Sequence, residues 1–390
     1  MTTSAERYRS YEGLPLFAMG FRPFFLFGAI FAALALPLWI IGFHGWIPNI
    51  TRDWHVHEML FGYLGAVIAG FLLTAAPNWT GRLPVAGAPL VFLFSLWAGG
   101  RAAMLFAPKA PLAAAIDCAF LFVLALILAR EIIAGKNVRN LPVVGLVVLL
   151  ATMNTLTHLR GYNPDIAALG ERGALAVIAM LIALIGGRIT PSFTRNWMTK
   201  QKLTPEPASP GRFDIAVLLA TASALLSWAT APDALAAGVL LTLAGALNLV
   251  RLFRWKGWRT TAEMLVTVLH LGYGWLAVAL LLLGGSILAP LWIASVAGIH
   301  ALTAGGFGVM TLAVMTRAGR GHTGLPLTAD AATKAIYLLV NLGAAIRVAS
   351  PFFPYHYLYC VVVSAVLWSA AFATFAAVYG PLLCTRRGGA

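Results

Sequence analysis

The chain has 390 residues, 60% of them hydrophobic and only 10% charged, with a net charge of +14 and a mean hydropathy of +0.85. Soluble domains run at roughly 45–50% apolar and about 25% charged residues, so this composition excludes a soluble globular protein and places the chain in a membrane. The positive balance does not point to nucleic acid, because no polar basic domain is there to bind it.

Apolar runs of about 20 residues, the length an α-helix needs to cross the bilayer core, recur along the whole sequence. The short alternating strands of a membrane barrel are absent. The expected fold is all-α and polytopic. Twelve spans are predicted, over 17–42, 54–76, 87–106, 111–133, 141–159, 170–190, 213–231, 234–253, 262–284, 294–316, 332–350 and 355–380. The first is long enough to span, so it is not read as a cleavable signal. The polar stretch "TRNWMTKQKLTPEPASPGR" (194–212) reads as a loop. It divides a single transmembrane domain into a first half, 1–190, and a second half, 213–390, with a cytoplasmic connection over 191–212.

Span 2 opens with "DWHVHEMLFGY" (53–63), which puts His55, His57 and Glu58 at the mouth of an apolar segment. Ionisable groups inside membrane spans are costly and mark functional sites by default. His55 and His57 are two residues apart, about 200° around a helix, so they cannot readily address one ion. Glu58 either orients a histidine or compensates the helix dipole in the first turn. Arg101 ends span 3. His158 ends span 5, four residues after Asn154 and so on the same face. His270, in span 9, is seven residues after Glu263 and reads equally as a metal ligand, a proton step or a packing residue. His44, His322 and His356 fall in loops. The three cysteines, Cys118, Cys360 and Cys384, form no Cys-x-x-Cys pair, so neither a thiolate zinc site nor covalent c-type haem is encoded.

Span 10 echoes span 2. His57 is followed by Gly62, Gly65 and the pair Thr80–Gly81; His300 is followed at the same offsets by Gly305, Gly308 and Thr323–Gly324. Two matched imidazoles suit a haem iron, which takes one axial ligand from each side. The expectation is therefore a noncovalent haem b held by His57 and His300, with Arg52 and Arg101 available to its propionates. His55 is left for a second site. It could share a copper ion with His158 and, less directly, His270, since imidazole suits copper. Asn154 and Glu58 would then be supporting residues behind the ligands.

Charge fixes the expected orientation. With the N-terminus inside, only Arg52, Arg101, Lys109, Arg160, Arg172 and Arg347 of the 27 basic residues fall on the outer side. Cytoplasmic loops accumulate Lys and Arg, so both termini are expected in the cytoplasm and His55 and His57 near the outer leaflet.

"GFRPFF" (20–25), "WHVHEMLFGY" (54–63), "GFLLTAAPNWTG" (70–81), "GGRITPSFTRNW" (186–197) and "MTLAVMTRAGRGHTG" (310–324) together resemble the NnrS family over nearly the whole chain. The resemblance implies a bacterial membrane protein linked to nitric oxide metabolism that contains haem b and copper. It supplies no ligand set. A more distant likeness joins the twelve spans, and the echoed histidines of spans 2 and 10, to the catalytic subunit of haem-copper oxidases and nitric oxide reductases. Spans 6 and 7 hold no histidine, which departs from that subunit's copper site. Three functions stay open: a haem- and copper-binding protein that handles nitric oxide or its products with an unknown electron donor, a transporter of a metal ion or small metal complex, and a noncatalytic assembly partner of a nitric oxide reductase.

Overall fold

A computed structural model describes residues 11–386. Every regular element among them is helical, and twelve helices are long and apolar enough to cross a membrane. They are α1 (Phe21–Phe43), α2 (Arg52–Thr80), α3 (Ala88–Phe106), α4 (Pro111–Ala134), α5 (Val138–Gly161) and α6 (Pro164–Lys200). There follow α7 (Arg212–Thr230), α8 (Leu235–Arg259), α9 (Met264–Leu288), α10 (Ser295–Thr323), α11 (Ala331–Phe352) and α12 (Pro354–Cys384).

Local chemistry sets their ends. Thr51 caps α2 by accepting from the Trp54 amide at 3.2 Å, and Asp330 caps α11 by accepting from the Thr333 amide at 2.8 Å. Such caps satisfy amides that have no partner within the helix. Pro111 opens α4, where a missing N–H costs nothing. The main departure from expectation is α6, which continues through the polar residues 191–200, so the connection to α7 is only 201–211. Hydropathy ends a span where charge begins, but a helix continues past the apolar layer as long as its backbone bonds are made.

Three helices depart from α geometry. α2 becomes a π-helix over Glu58–Tyr63, α6 over Ile182–Gly186 and α10 over Ala301–Phe307. These are inner helices: 78% of the apolar window of α2 and 67% of those of α6 and α10 are buried, against 33% for α3. A π-turn shifts the backbone pairing and presents carbonyls to other donors. Trp97 Nε1 donates to Gly62 O at 2.8 Å in α2, and Arg251 donates to Ala183 O at 3.0 Å in α6.

The echo in the sequence has a structural cause. In both α2 and α10 the π segment starts at the residue after the histidine. Both helices end at the threonine, whose hydroxyl donates to the carbonyl four residues back: Thr80 to Ala76 O at 2.8 Å, Thr323 to Gly319 O at 2.7 Å. Both then turn at a glycine with positive φ, +68° at Gly81 and +85° at Gly324, a conformation that glycine adopts without strain. The matched spacing thus encodes one helix plan used twice.

The helices form two compact units. One holds the described residues through Ala174, with Met315–Pro326 and the residues from Phe372 on. The other holds Leu175–Val314 and Leu327–Ala371. Divisions between them fall inside α6, α10 and α12 and in the connection after α10.

Candidate functional site

Six polar side chains meet inside the first unit. α2 brings His57 and Glu58, α3 brings Arg101, α4 brings Asp117, and α5 brings Asn154 with His158 in the 3-10 turn at its end. All but the half-buried His158 are buried. Asp117 is the hub. Its Oδ1 accepts from Arg101, while its Oδ2 faces His57 Nε2 at 3.2 Å and His158 Nε2 at 3.0 Å and accepts from Asn154 Nδ2 at 2.8 Å. Glu58 Oε1 accepts from Arg101 at 2.6 Å and faces His57 Nδ1 at 3.0 Å. The other oxygen, Glu58 Oε2, is buried without a partner.

Space for this cluster depends on Gly62, one π-turn beyond Glu58. A Cβ there would stand 2.8 Å from the Arg101 guanidinium and 3.0 Å from Glu58 Oε2. The echoed glycines do the same in the second unit, where a Cβ on Gly305 would strike the Trp275 ring and one on Gly308 would strike Trp368. They make room for side chains of neighbouring helices.

Charge balance explains how the cluster survives in an apolar layer. Nδ1 of His57 faces the carboxylate of Glu58, and Nε2 faces Asn154 Oδ1 at 3.0 Å as well as Asp117. Both ring nitrogens thus face oxygen atoms. Two carboxylates then stand against the Arg101 guanidinium and the His57 ring. An uncompensated buried charge would cost several kcal/mol.

The family-model search matches the description "NnrS protein" over residues 15–387. The chain belongs to the NnrS family. No curated protein matches it.

For an NnrS-family chain the question is which residues can hold a metal or cofactor. Among the described residues, the group of metal-ligating side chains is His57, Asp117 and His158, whose donor atoms lie within 4.8 Å of one another. Nε2 of each histidine faces the same carboxylate oxygen. These spacings suit donors that share one ion, since imidazole and carboxylate oxygen bind such ions at about 2.0–2.2 Å. The donor set therefore fits a metal ion of the kind that imidazole favours, copper among them.

The remaining expected site residues fall elsewhere. His55 stacks on Trp39, with ring centroids 4.5 Å apart, and is not in the ligand group. His270 lies in the second unit. Thr194 spends its hydroxyl hydrogen on Thr190 O at 2.8 Å, so His270 Nε2 donates to Thr194 Oγ at 2.7 Å, and Nδ1 is buried without a partner. His300 is also in the second unit, with Nδ1 donating to Val296 O at 2.8 Å. Arg101 is engaged by Glu58 and Asp117, and Arg52 by Asp53 and Glu171. Asn154, placed by the sequence one turn from His158, instead bridges His57 and Asp117.

Asp117 is the member of this cluster that the sequence alone did not single out. Its signal was present: an acid in the middle of the apolar run "PLAAAIDCAFLFVLALILA", which is a site hypothesis on intramembrane cost alone.

Proposed function

We propose that this protein is an inner-membrane protein that handles nitric oxide or a related species at a metal centre formed by His57, Asp117 and His158, with copper as the metal. The observation that carries the proposal is the convergence of three ligand atoms within 4.8 Å in the interior of the first unit. The link to nitric oxide rests on membership of the NnrS family. Copper bound there would supply a site for nitric oxide and one-electron chemistry. The protein's own groups do the rest. Arg101 holds Asp117 Oδ1, which leaves Oδ2 for the two histidines. Glu58 fixes the His57 ring through Nδ1, the outer-sphere bond that sets which nitrogen faces a metal. In this reading the centre lies near the outer leaflet with both termini in the cytoplasm, an orientation that the excess of Lys and Arg in the inner loops supports.

The test is the spectrum of the purified protein. Copper-loaded protein should show an electron paramagnetic resonance signal that changes on addition of nitric oxide and is missing in His158→Ala. A signal that survives in His158→Ala contradicts the assignment. Haem b, the second cofactor that the resemblance implies, is the competing claim on His57. A low-spin haem spectrum lost in both His57→Ala and His300→Ala would assign His57 to iron instead.

A further inference from the structure

Four charged residues of the first unit close a ring beside the centre. Arg52 pairs with Asp53 at 3.0 Å and with Glu171 at 3.1 Å. Arg160 pairs with Asp53 at 3.2 Å and with Glu171. Each guanidinium thus meets both carboxylates, and the ring is neutral. It ties together the first turn of α2, the end of α5 and the first turns of α6.

Its members sit on the segments that carry the histidines of the centre. Asp53 is one helical turn before His57, and Arg160 shares the 3-10 turn His158–Gly161 with His158. Exposure falls along this line: side chains are 66% exposed at Arg52, 34% at Arg160, 12% at His158 and 8% at His57. Three members of the ring, Arg52, Asp53 and Arg160, are thus more exposed than the histidines, while Glu171, at 12%, is as covered as His158.

We infer that the Arg52–Asp53–Arg160–Glu171 ring is the gate of the His57–Asp117–His158 centre, and that a metal cation enters through it. The inference builds on the metal reading above. Ion pairs at a partly exposed site are weak one by one and screened by salt, so such a ring can open without unfolding the helices beneath. Glu171 holds two of the four pairs from α6, so its loss frees α6 from both arginines at once.

Diethyl pyrocarbonate labelling of His158, read by peptide mass spectrometry on the full chain in detergent without added metal, tests the gate. Glu171→Gln should label His158 roughly tenfold faster, the factor expected from two lost pairs whose arginines reach solvent, while His270 in the second unit keeps its rate. In the wild-type chain, raising salt should also speed labelling of His158 and leave His270 alone. A His158 rate unchanged in Glu171→Gln overturns the gate. So does a wild-type rate that ignores salt, which decides the matter even if the variant misfolds. Because no metal is present, a protein that never binds copper sinks the metal reading and leaves this result standing. Where copper does bind, Glu171→Gln should load faster to the same final content.

Discussion

Arg101 offers the sharpest perturbation. It is the only arginine in the buried cluster, 2.6 Å from Glu58 Oε1 and also bonded to Asp117. At an effective dielectric of about 20, one charge pair at that distance is worth about 6 kcal/mol before desolvation. Desolvation of the charges offsets part of this, and breaking such a pair by removing one partner costs about 3–5 kcal/mol in practice. Arg101→Met keeps much of the length and removes the charge, so two carboxylates face the His57 ring alone. Stability should fall by that amount. Adding Glu58→Gln removes the negative charge that Arg101 no longer balances and keeps an acceptor for His57 Nδ1, so the double variant should be about 2 kcal/mol more stable than the single one, within the range of couplings between contacting residues. Reversible unfolding of the purified protein in mixed micelles measures both. A single-variant cost below about 1 kcal/mol, or a double variant no better than the single, would refute the charge-balance argument.

Other expectations follow from the packing. Gly62→Ala forces a methyl against Arg101 and Glu58 and should cost about 1–3 kcal/mol, whereas Gly145→Ala, with nothing within 4 Å of the new Cβ, should be nearly neutral. Gly81→Ala strains the left-handed turn after α2 and should cost about 1–2 kcal/mol, read by the same unfolding assay. In the second unit Arg251 pairs with Asp214 at 2.9 Å, donates to Tyr273 Oη and caps the π-segment carbonyl of Ala183. Arg251→Met should therefore cost about 3–5 kcal/mol, and a loss under about 1 kcal/mol would mean that another donor takes that carbonyl.

The membrane fold was legible because span length is set by bilayer thickness, which acts locally on consecutive residues. The histidine–glycine echo was legible for the same reason: it encodes a helix plan, from π-turn to glycine cap, that lies within one segment. The pairing of His57 with Glu58 could be anticipated from adjacency. The rest of the cluster could not. Asn154 meets His57 across 97 residues, and Asp117 meets His158 across 41. Such contacts depend on which faces of α2, α4 and α5 pack together, and hydropathy carries no record of that. The 200° separation of His55 from His57 follows from one helix alone and carries no record of which ring meets His158. The π-turn after His57 and the position of α4 bring His57 to it, and Asp117 joins them.

The central claim is that His57, Asp117 and His158 hold a single metal ion. Metal analysis combined with X-ray absorption on protein purified from copper-supplemented cells tests it most directly. The account predicts copper with nitrogen and oxygen neighbours only, lost in His158→Ala and in Asp117→Asn, and kept in His55→Ala and His300→Ala. Copper that persists in both His158→Ala and Asp117→Asn, or that disappears in His55→Ala, would contradict it.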